Sequence, residues 1–315
     1  MIKSLQDLKR IVKKSLFNLY KDEALNYSAA MSFYVILALP IFLLIVVSIG
    51  GIVWGEPIIK QQLLTTISNF TGIADTMVIE NLLNQAFNFN AEINAIYSAI
   101  LLILAAGAIF SHLHISLNNI YGVKEKRGDI IRKFLLRRLF AFILLIVLGL
   151  VLIFSLILQG IFSLGLEYIS PYIYLSESVF LGLSVGIELV LLFFIFLSIY
   201  KIIPDIKFAW RDAVIGSIVT TLLFALGSNI ISLYAQSSDI TTAYGAAGSL
   251  VVLLLWVYYS SLLIFFGAEF TQYYAMEAGE GVEPKDNARF KLDQEKPNGI
   301  IDEISHFIKK WYENK

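Results

Sequence analysis

The chain has 315 residues, of which 57% are hydrophobic and 16% are charged, and its formal net charge is −1. A soluble domain usually carries about 25% charged residues, so this composition argues against one. A net charge close to zero provides no basic field for nucleic acid. The chain contains no cysteine, which excludes disulfides, thiolate metal sites and a cysteine nucleophile.

Six apolar blocks follow one another along the chain, and each is long enough to cross a bilayer as a helix of about 20 residues. We therefore predict an all-α, polytopic membrane bundle, because strands with unpaired edges cannot exist in lipid. The predicted spans cover residues 31–54, 93–115, 139–164, 179–200, 213–234 and 248–273. Three regions result, namely a basic amphipathic N-terminal segment (1–30), a six-helix transmembrane domain (31–275) with an outer loop at 55–92, and a cytoplasmic tail (276–315) that ends in an amphipathic helix.

The basic residues predict the direction of the spans. All lysines and arginines except Lys60 lie in the N-terminal segment, in the loops after the second and fourth spans, or in the tail. Cytoplasmic loops retain positive charge, so both termini are predicted to be cytoplasmic. The first apolar block is full length and has no cleavage site after it, so we expect it to remain as a signal anchor.

Both ends of the chain carry amphipathic stretches. Residues 3–21 place leucines and a valine at helical spacing with lysines on the other side. Such a helix either lies in the inner interface against anionic lipid or packs on the bundle, and the sequence leaves both open. The polar linker at about 279–297 is expected to be poorly ordered, because it has little apolar surface to bury.

Glu188 is the most informative polar residue, because it lies near the middle of the fourth span. A charged group at the bilayer centre costs roughly 2.5–3.5 kcal/mol on insertion scales, so Glu188 must face a water-filled cavity, pair with a donor or be protonated. Gln159 in the third span and Asn229 in the fifth could converge with it as one polar intramembrane site. The alternative is a protonated carboxyl that makes a single interhelical hydrogen bond.

Other polar and small residues predict structure more than chemistry. His112 and His114 are two positions apart, which separates their side chains by about 200° on a helix, so we predict no shared metal. Glu269 lies near the cytoplasmic end of the sixth span, where we expect its carboxylate to reach water or a loop arginine in a structural role. Gly182 and Gly186 predict a close approach of two helices. Since no phosphate-binding loop or other cofactor motif occurs, we predict no cofactor.

Three blocks of the sequence resemble a known family. The first reads ALNYSAAMSFY over residues 24–34 and leads into Leu39-Pro40, and the second reads HISLNNIYGV over residues 114–123. The third joins IPD at 203–205 and WRDA at 210–213 to YGAAGSL at 244–250, LWVY at 255–258 and GAE at 267–269. Together they resemble the YihY/BrkB family of bacterial inner-membrane proteins, which also carries the older label ribonuclease BN.

The resemblance implies a six-spanning protein of the bacterial plasma membrane. The positions that match the family motifs are Asn26, Tyr34, Pro40, Asn118, Asn119, Pro204, Tyr244, Gly245, Trp256, Gly267 and Glu269. The ribonuclease label disagrees with the residues, because RNA hydrolysis needs metal-activated water or paired acid–base groups beside a basic surface. With three scattered histidines and no cysteine, we expect no nuclease activity.

The sequence therefore favours a transporter or a lipid-handling protein with a polar intramembrane cavity. The alternative is a non-transporting scaffold that docks lipids or proteins, and a membrane-embedded enzyme is the least favoured. The expected partners are membrane lipids, anionic at the cytoplasmic face, and no nucleic acid. A homo-oligomer stays open.

Overall fold

The computed structural model of this chain describes four stretches, together with a few isolated positions. They are residues 5–55, 91–126, 177–237 and 248–291, with residues 57, 58, 60, 61, 63–65, 80 and 139. The third predicted span (139–164, apart from its first residue), most of the outer loop and the amphipathic end of the tail lie outside the described residues. The fold is therefore described for the remaining helices and the loops between them.

Six helices make up the described part of the bundle. They are α1 (Leu5–Lys21), α2 (Ala24–Trp54), α3 (Ala91–Ile120), α4 (Glu177–Ile202), α5 (Trp210–Ser237) and α6 (Gly248–Glu277). Among the described residues, three segments are long and apolar enough to cross a membrane, namely Val185–Ile202, Trp210–Ser228 and Leu250–Glu277. The all-α membrane architecture is thus confirmed, whereas the number of six spans and the cytoplasmic position of both termini stay predictions. Helix α2 begins at Ala24 rather than near residue 31 and runs on through Pro40.

Helix α6 lies at the centre of the described bundle and packs against α1, α2 and α5, with smaller contacts to α3 and α4. Its side chains join a core in which Tyr121, Tyr200 and Phe265 are almost completely buried. The outer sides of α4 and α5 instead expose large apolar side chains, such as Phe194 and Leu226. A helix that is apolar on all sides is typical of a protein immersed in lipid.

Glycines let α5 and α6 approach closely. A Cβ atom on Gly216 would lie 1.8 Å from Thr271 Oγ1, and one on Gly267 would lie 2.0 Å from Thr220 Oγ1. Small residues favour helix association in membranes because lipid provides no hydrophobic drive to hold apolar helices together. Around Gly186, by contrast, no described atom lies within 4 Å of the Cβ position. Within the described stretches, the small-residue contact therefore lies between α5 and α6 and not at Gly186.

Four short strands tie the segment after α6 to the loops of the bundle. They are β1 (Val123–Glu125), β2 (Ile206–Lys207), β3 (Glu283–Pro284) and β4 (Ala288–Phe290). β4 pairs antiparallel with β1, and β3 pairs antiparallel with β2. The expectation of a poorly ordered linker is therefore wrong for residues 279–291. Its composition is polar, but backbone pairing and the burial of Val282 and Ala288 hold it in place.

Helix α1 uses one face to pack on the bundle and leaves the other exposed. Ile11, Ser15 and Asn18 are buried against α6. On the opposite face, Phe17 is 68% exposed and Tyr20 is 78% exposed, beside exposed lysines. Packing on the bundle, one of the two alternatives from the sequence, is thus observed for the buried face.

Candidate functional site

The described residues include only part of the predicted intramembrane site. Glu188 is half-buried in α4, and it makes no hydrogen bond or ion pair with the described residues. Asn229 lies in α5, but its side chain is not among those described, and Gln159 lies outside the described stretches. The convergence of these three residues stays a prediction. Glu188 is a carboxyl on a helix long enough to span a membrane, and it has no partner among the described residues.

A buried polar network of His114, Asn118, Asp205 and Asn287, which we call the inner network, instead occupies the end of the bundle where α3 and α4 finish. The side chain of Asn118 bonds to both the carboxylate and the backbone of Asp205, since Asn118 Nδ2 donates to Asp205 Oδ2 at 2.9 Å and Asp205 N–H donates to Asn118 Oδ1 at 2.8 Å. His114 Nε2 lies 3.1 Å from Asp205 Oδ2. Asn287, from the turn between β3 and β4, donates to Asp205 Oδ1 at 3.0 Å. One carboxylate thus joins α3, the end of α4 and the tail.

The chain folds this way because Pro204 lies two residues after the end of α4 at Ile202. Proline lacks an N–H and disfavours helix in the residue before it, so the backbone turns at this point and presents Asp205 to α3. Burial alone would raise the pKa of Asp205, but hydrogen bonds from His114, Asn287 and Asn118 outweigh burial and hold this pKa below its ordinary value of 3.8. The carboxylate is therefore ionised at neutral pH.

The neighbouring asparagine serves a second set of contacts. Asn119 Nδ2 donates to the hydroxyl of Tyr27 at 2.8 Å, and Lys291 Nζ donates to Asn119 Oδ1 at 2.8 Å. His112 Nε2 lies 2.9 Å from the carbonyl oxygen of Tyr27, and the His112 ring also contacts the ring of Tyr34. Two adjacent asparagines therefore connect α3 to α2, to the end of α4 and to the tail.

The two histidines serve different neighbours, in keeping with their separation around α3. His114 contacts Asp205, and His112 contacts the backbone of Tyr27. Among the described residues, no group of three or more histidine, aspartate or glutamate side chains is placed to hold a metal ion. The network therefore consists of polar groups that satisfy one another.

Glu269 behaves differently from the expectation. It is 0% exposed, and neither carboxylate oxygen receives a hydrogen bond from the described residues. The expectation that it reaches water is therefore wrong, because α6 is the central helix and its neighbours cover this side chain. The arginines of the loop after the second predicted span, within residues 127–138, lie outside the described residues, so a contact with one of them stays a prediction. The hydroxyl of Tyr121 is also buried without a partner in the described part of the chain. Burial is the main cause that raises the pKa of Tyr121 well above its ordinary value of 10.0.

The remaining motif positions have structural places. Trp256 packs edge-on against Phe224 with ring centroids 5.9 Å apart, and Gly267 allows the close contact of α6 with Thr220. Asn26 is exposed on α2. Tyr244 and Gly245 lie outside the described residues. Asp205 and Tyr27 lie in the blocks that resemble the family, but neither of them, nor Asn287, was predicted as a site residue. An aspartate directly after a proline at the end of a span was the signal available for the first of them.

Comparison with known proteins identifies the family. The family described as "Virulence factor BrkB" matches residues 16–291, which run from the middle of α1 to the end of the tail strands. The chain belongs to the BrkB family. The match includes every residue of the inner network, so the network lies within the region that this BrkB-family protein shares with its relatives.

Two curated relatives cover most of this BrkB-family chain. The ribonuclease-like protein YfkH of Bacillus subtilis (strain 168) is 24% identical over 262 residues, which cover 81% of this chain and 92% of the relative. A UPF0761 membrane protein of Vibrio atlanticus (strain LGP32) is 27% identical over 227 residues, which cover 66% of this chain and 70% of the relative. No solved structure matches the chain. The membrane-protein relatives and the three apolar helices identify a bacterial membrane protein.

Proposed function

We propose that this BrkB-family protein is a transporter that moves a polar solute or a lipid through its helical bundle, and that it is not an enzyme. The observation that carries the proposal is the Glu269 carboxyl, which is completely buried in the central helix, receives no hydrogen bond from the N–H and O–H groups of the described residues and interacts with a second acid, Asp22. A buried ionised carboxyl without a partner is strongly destabilising. Carboxyls retained inside membrane bundles are typical of proton relays and of substrate pathways.

Glu188 supports the same proposal from a second helix. It lies on α4, half-buried, and has no partner among the described residues. A carboxyl at this depth can bind a cationic or hydrogen-bonding group of a passing molecule and thereby offset its own desolvation. In the proposed protein, Glu188 contacts the passenger near mid-membrane, and Gln159 and Asn229 complete the site.

The inner network provides a closure for such a pathway. Its contacts join loops and tail through hydrogen bonds, which water can replace when the groups separate, because the net value of each bond is about 0.5–1.5 kcal/mol. A closure built from apolar side chains would instead expose apolar surface to water when it opened. We propose that separation of Asn287 and Asp205 opens the cytoplasmic end.

Native mass spectrometry of the gently purified protein tests the transport proposal. The wild type should retain a lipid or a small polar molecule that Glu188→Ala loses. Ser198→Ala is the matched control, because Ser198 lies on the same helix and, among the described residues, its hydroxyl donates to the backbone of Phe194 alone. Bare protein in all three samples, or equal retention by wild type and Glu188→Ala, would contradict the proposed site.

A non-transporting scaffold is the second candidate, and the exposed face of α1 favours it. Phe17 and Tyr20 are 68% and 78% exposed, and Lys9 and Lys13 are exposed on the same side of the helix. Aromatic groups next to lysines are typical of helices that bind the anionic surface of a membrane. In this candidate, α1 and the tail hold lipids or proteins at the cytoplasmic face.

A further inference from the structure

The end of α4 and the start of α5 form a lipid-facing edge of the bundle. Two segments that are long and apolar enough to cross a membrane end at Ile202 and begin at Trp210, so the loop between them lies at a membrane boundary. Ile202 is 61% exposed and Trp210 is 65% exposed. A tryptophan at such a boundary places its amphipathic ring at the level of the lipid headgroups. A phospholipid therefore meets apolar side chains along both helices and this loop at their end.

Lys201 is held at this edge in the last turn of α4. Its Nζ lies 5.0 Å from the centre of the Trp210 ring, and a cation over an indole ring is attracted to the ring face. The same Nζ donates a hydrogen bond to the carbonyl oxygen of Phe208. An ammonium group has three N–H donors, and in the described part of the chain one of them has an acceptor. These contacts fix the position of the ammonium and leave two donors for a further acceptor.

The tail brings a second lysine to the same place. The backbone N–H of Lys285 donates to the carbonyl oxygen of Asp205 at 2.9 Å, directly after β3. Lys285 Nζ donates to the carbonyl oxygen of Ile202 at 3.1 Å, so both ammonium groups are bound near the last residues of α4. Lys285 is partly buried. Burial and the charge of Lys201 lower the pKa of Lys285, and the charge of Asp205 partly offsets them.

Acidic residues do not balance these two lysines. Within the described stretches, no carboxylate forms an ion pair with Lys201 or Lys285. The carboxylate of Asp205 attracts Lys285, but its oxygens are bound by the inner network, and Asp286 pairs with Lys207. The preference of cytoplasmic loops for basic residues explains why lysines occur here, but not why two are held together without an acid. An anion that contacts both ammonium groups would balance their charge.

We infer that the phosphate of an anionic phospholipid headgroup binds between Lys201 and Lys285, with its acyl chains along the exposed apolar sides of α4 and α5. Lysine binds phosphate as a point charge, and Arg211, exposed in the first turn of α5, adds positive charge at the same edge. Phosphatidylcholine has the same phosphate but also a choline cation, which the lysines repel. Free phosphate has no acyl chains for the exposed apolar side chains, so the lipid is the occupant.

Native mass spectrometry of the full chain, titrated with phosphatidylglycerol in mild detergent, tests this site. The wild type should bind phosphatidylglycerol more tightly than phosphatidylcholine. Lys201→Gln and Lys285→Gln should each weaken the binding of phosphatidylglycerol about fivefold, which corresponds to about 1 kcal/mol for a basic residue near an anionic membrane. Lys201→Arg and Lys285→Arg keep the charge and should retain the lipid, which separates loss of charge from a change in local packing.

Lys207→Gln is the matched control, because it removes the same charge from the same loop while the wild-type ammonium is already paired with Asp286. It should keep the wild-type affinity. Equal affinity of the wild type, Lys201→Gln and Lys285→Gln would overturn the inference, as would equal binding of the two lipids or an equal loss in Lys207→Gln. Displacement of phosphatidylglycerol by inorganic phosphate at constant ionic strength would indicate a free-phosphate site and would also overturn it.

The inference does not rest on transport, and the variants separate the two proposals. Glu188 lies more than three helical turns before Lys201 along α4, so Glu188→Ala should keep this phosphatidylglycerol. A molecule that Glu188→Ala loses and Lys201→Gln keeps is the proposed passenger. A phosphatidylglycerol that Lys201→Gln loses and Glu188→Ala keeps occupies the site inferred here, whatever the result for the passenger.

Discussion

Asp205 is the residue of the inner network that the other three members all contact. Its carboxylate is bound by His114, Asn118 and Asn287, which lie 82 to 91 positions away along the chain. Removing the carboxylate leaves buried donors unsatisfied, and each such group costs about 1–3 kcal/mol. We therefore expect Asp205→Ala to lower the melting temperature of the purified protein clearly. Asp286→Ala is the control, because the Asp286 side chain is 97% exposed and solvent screens its ion pair with Lys207, so little change in melting temperature is expected.

The same network gives the pH dependence a definite sign. The pKa of Asp205 is lower in the folded protein than its ordinary value of 3.8, so the unfolded chain binds more protons in acid. The stabilisation is complete above that ordinary value and is lost as pH falls through the lower pKa of the folded state. The difference in melting temperature between wild type and Asp205→Ala should shrink in this acid range. A difference that stays constant with pH would contradict the ionised network.

At the scale of residues, the sequence predicts local features and misses distant contacts. Glu188 stands out because a charge interrupts an apolar run. Asp205 and Asn287 belong to one site only after the tail has folded back, 82 positions apart, and no local pattern contains that distance. Glu269 was recognised as polar, but its complete burial depends on α1, whose position the sequence left open.

The glycines of the α5–α6 contact show how an element is held in lipid. A Cβ on Gly267 would lie 2.0 Å from Thr220 Oγ1 and 2.1 Å from the hydroxyl of Tyr200. We expect Gly267→Ala to destabilise the protein by about 1–3 kcal/mol, because overpacking forces its neighbours to move. Gly186→Ala is the control, since no described atom lies within 4 Å, and a gain of about 0.5–1 kcal/mol from helix propensity is expected there. Equal thermal stability of the two variants would contradict the packing.

Helix α1 makes a second prediction at this scale. If its exposed face binds the inner leaflet, phosphatidylglycerol should raise the melting temperature of the wild type more than phosphatidylcholine does. Lys13→Gln should reduce this difference in melting temperature, because one basic residue near an anionic membrane contributes about 1 kcal/mol of binding free energy. Lys124→Gln, at an exposed position in β1, is the matched control. An equal loss in both variants would indicate a general charge effect instead of a lipid-binding face.

The elements differ in how well they could be predicted. The helical spacing of α1 predicts an amphipathic helix but cannot say whether lipid or protein covers each face, and the structure shows one face against α6. The strands of the tail were missed because their polar composition favours disorder. Backbone pairing with loops more than 70 positions earlier depends on the tertiary fold.

For the whole molecule, the six spans and the cytoplasmic termini can be tested with introduced cysteines. The natural chain has none, so a single substitution gives an unambiguous label. In intact cells, an impermeant thiol reagent should label Lys60→Cys and should leave Lys13→Cys and Lys296→Cys unlabelled until the membrane is opened. Labelling of Lys13→Cys from outside would reverse the topology. Opposite results for Lys13→Cys and Lys296→Cys would mean an odd number of spans.

Composition and loop charges predict the class of the whole molecule, because lipid imposes length and polarity on every span. They do not predict which helix lies at the centre, since helices that are apolar on all sides carry no signal for their neighbours. The central place of α6 depends on glycines and hydroxyls that match those of α5. The burial of Glu269, and with it the proposed transport, follows from that arrangement.

Recording of charge movement from proteoliposomes on a solid support, after a rapid pH step, tests the central claim most directly. A protein that passes a proton to a buried carboxyl should give a transient current even without its passenger. We predict such a current for the wild type and for Glu277→Gln, and its loss in Glu269→Gln. Currents from the wild type that equal those of Glu269→Gln and of empty liposomes would contradict the account.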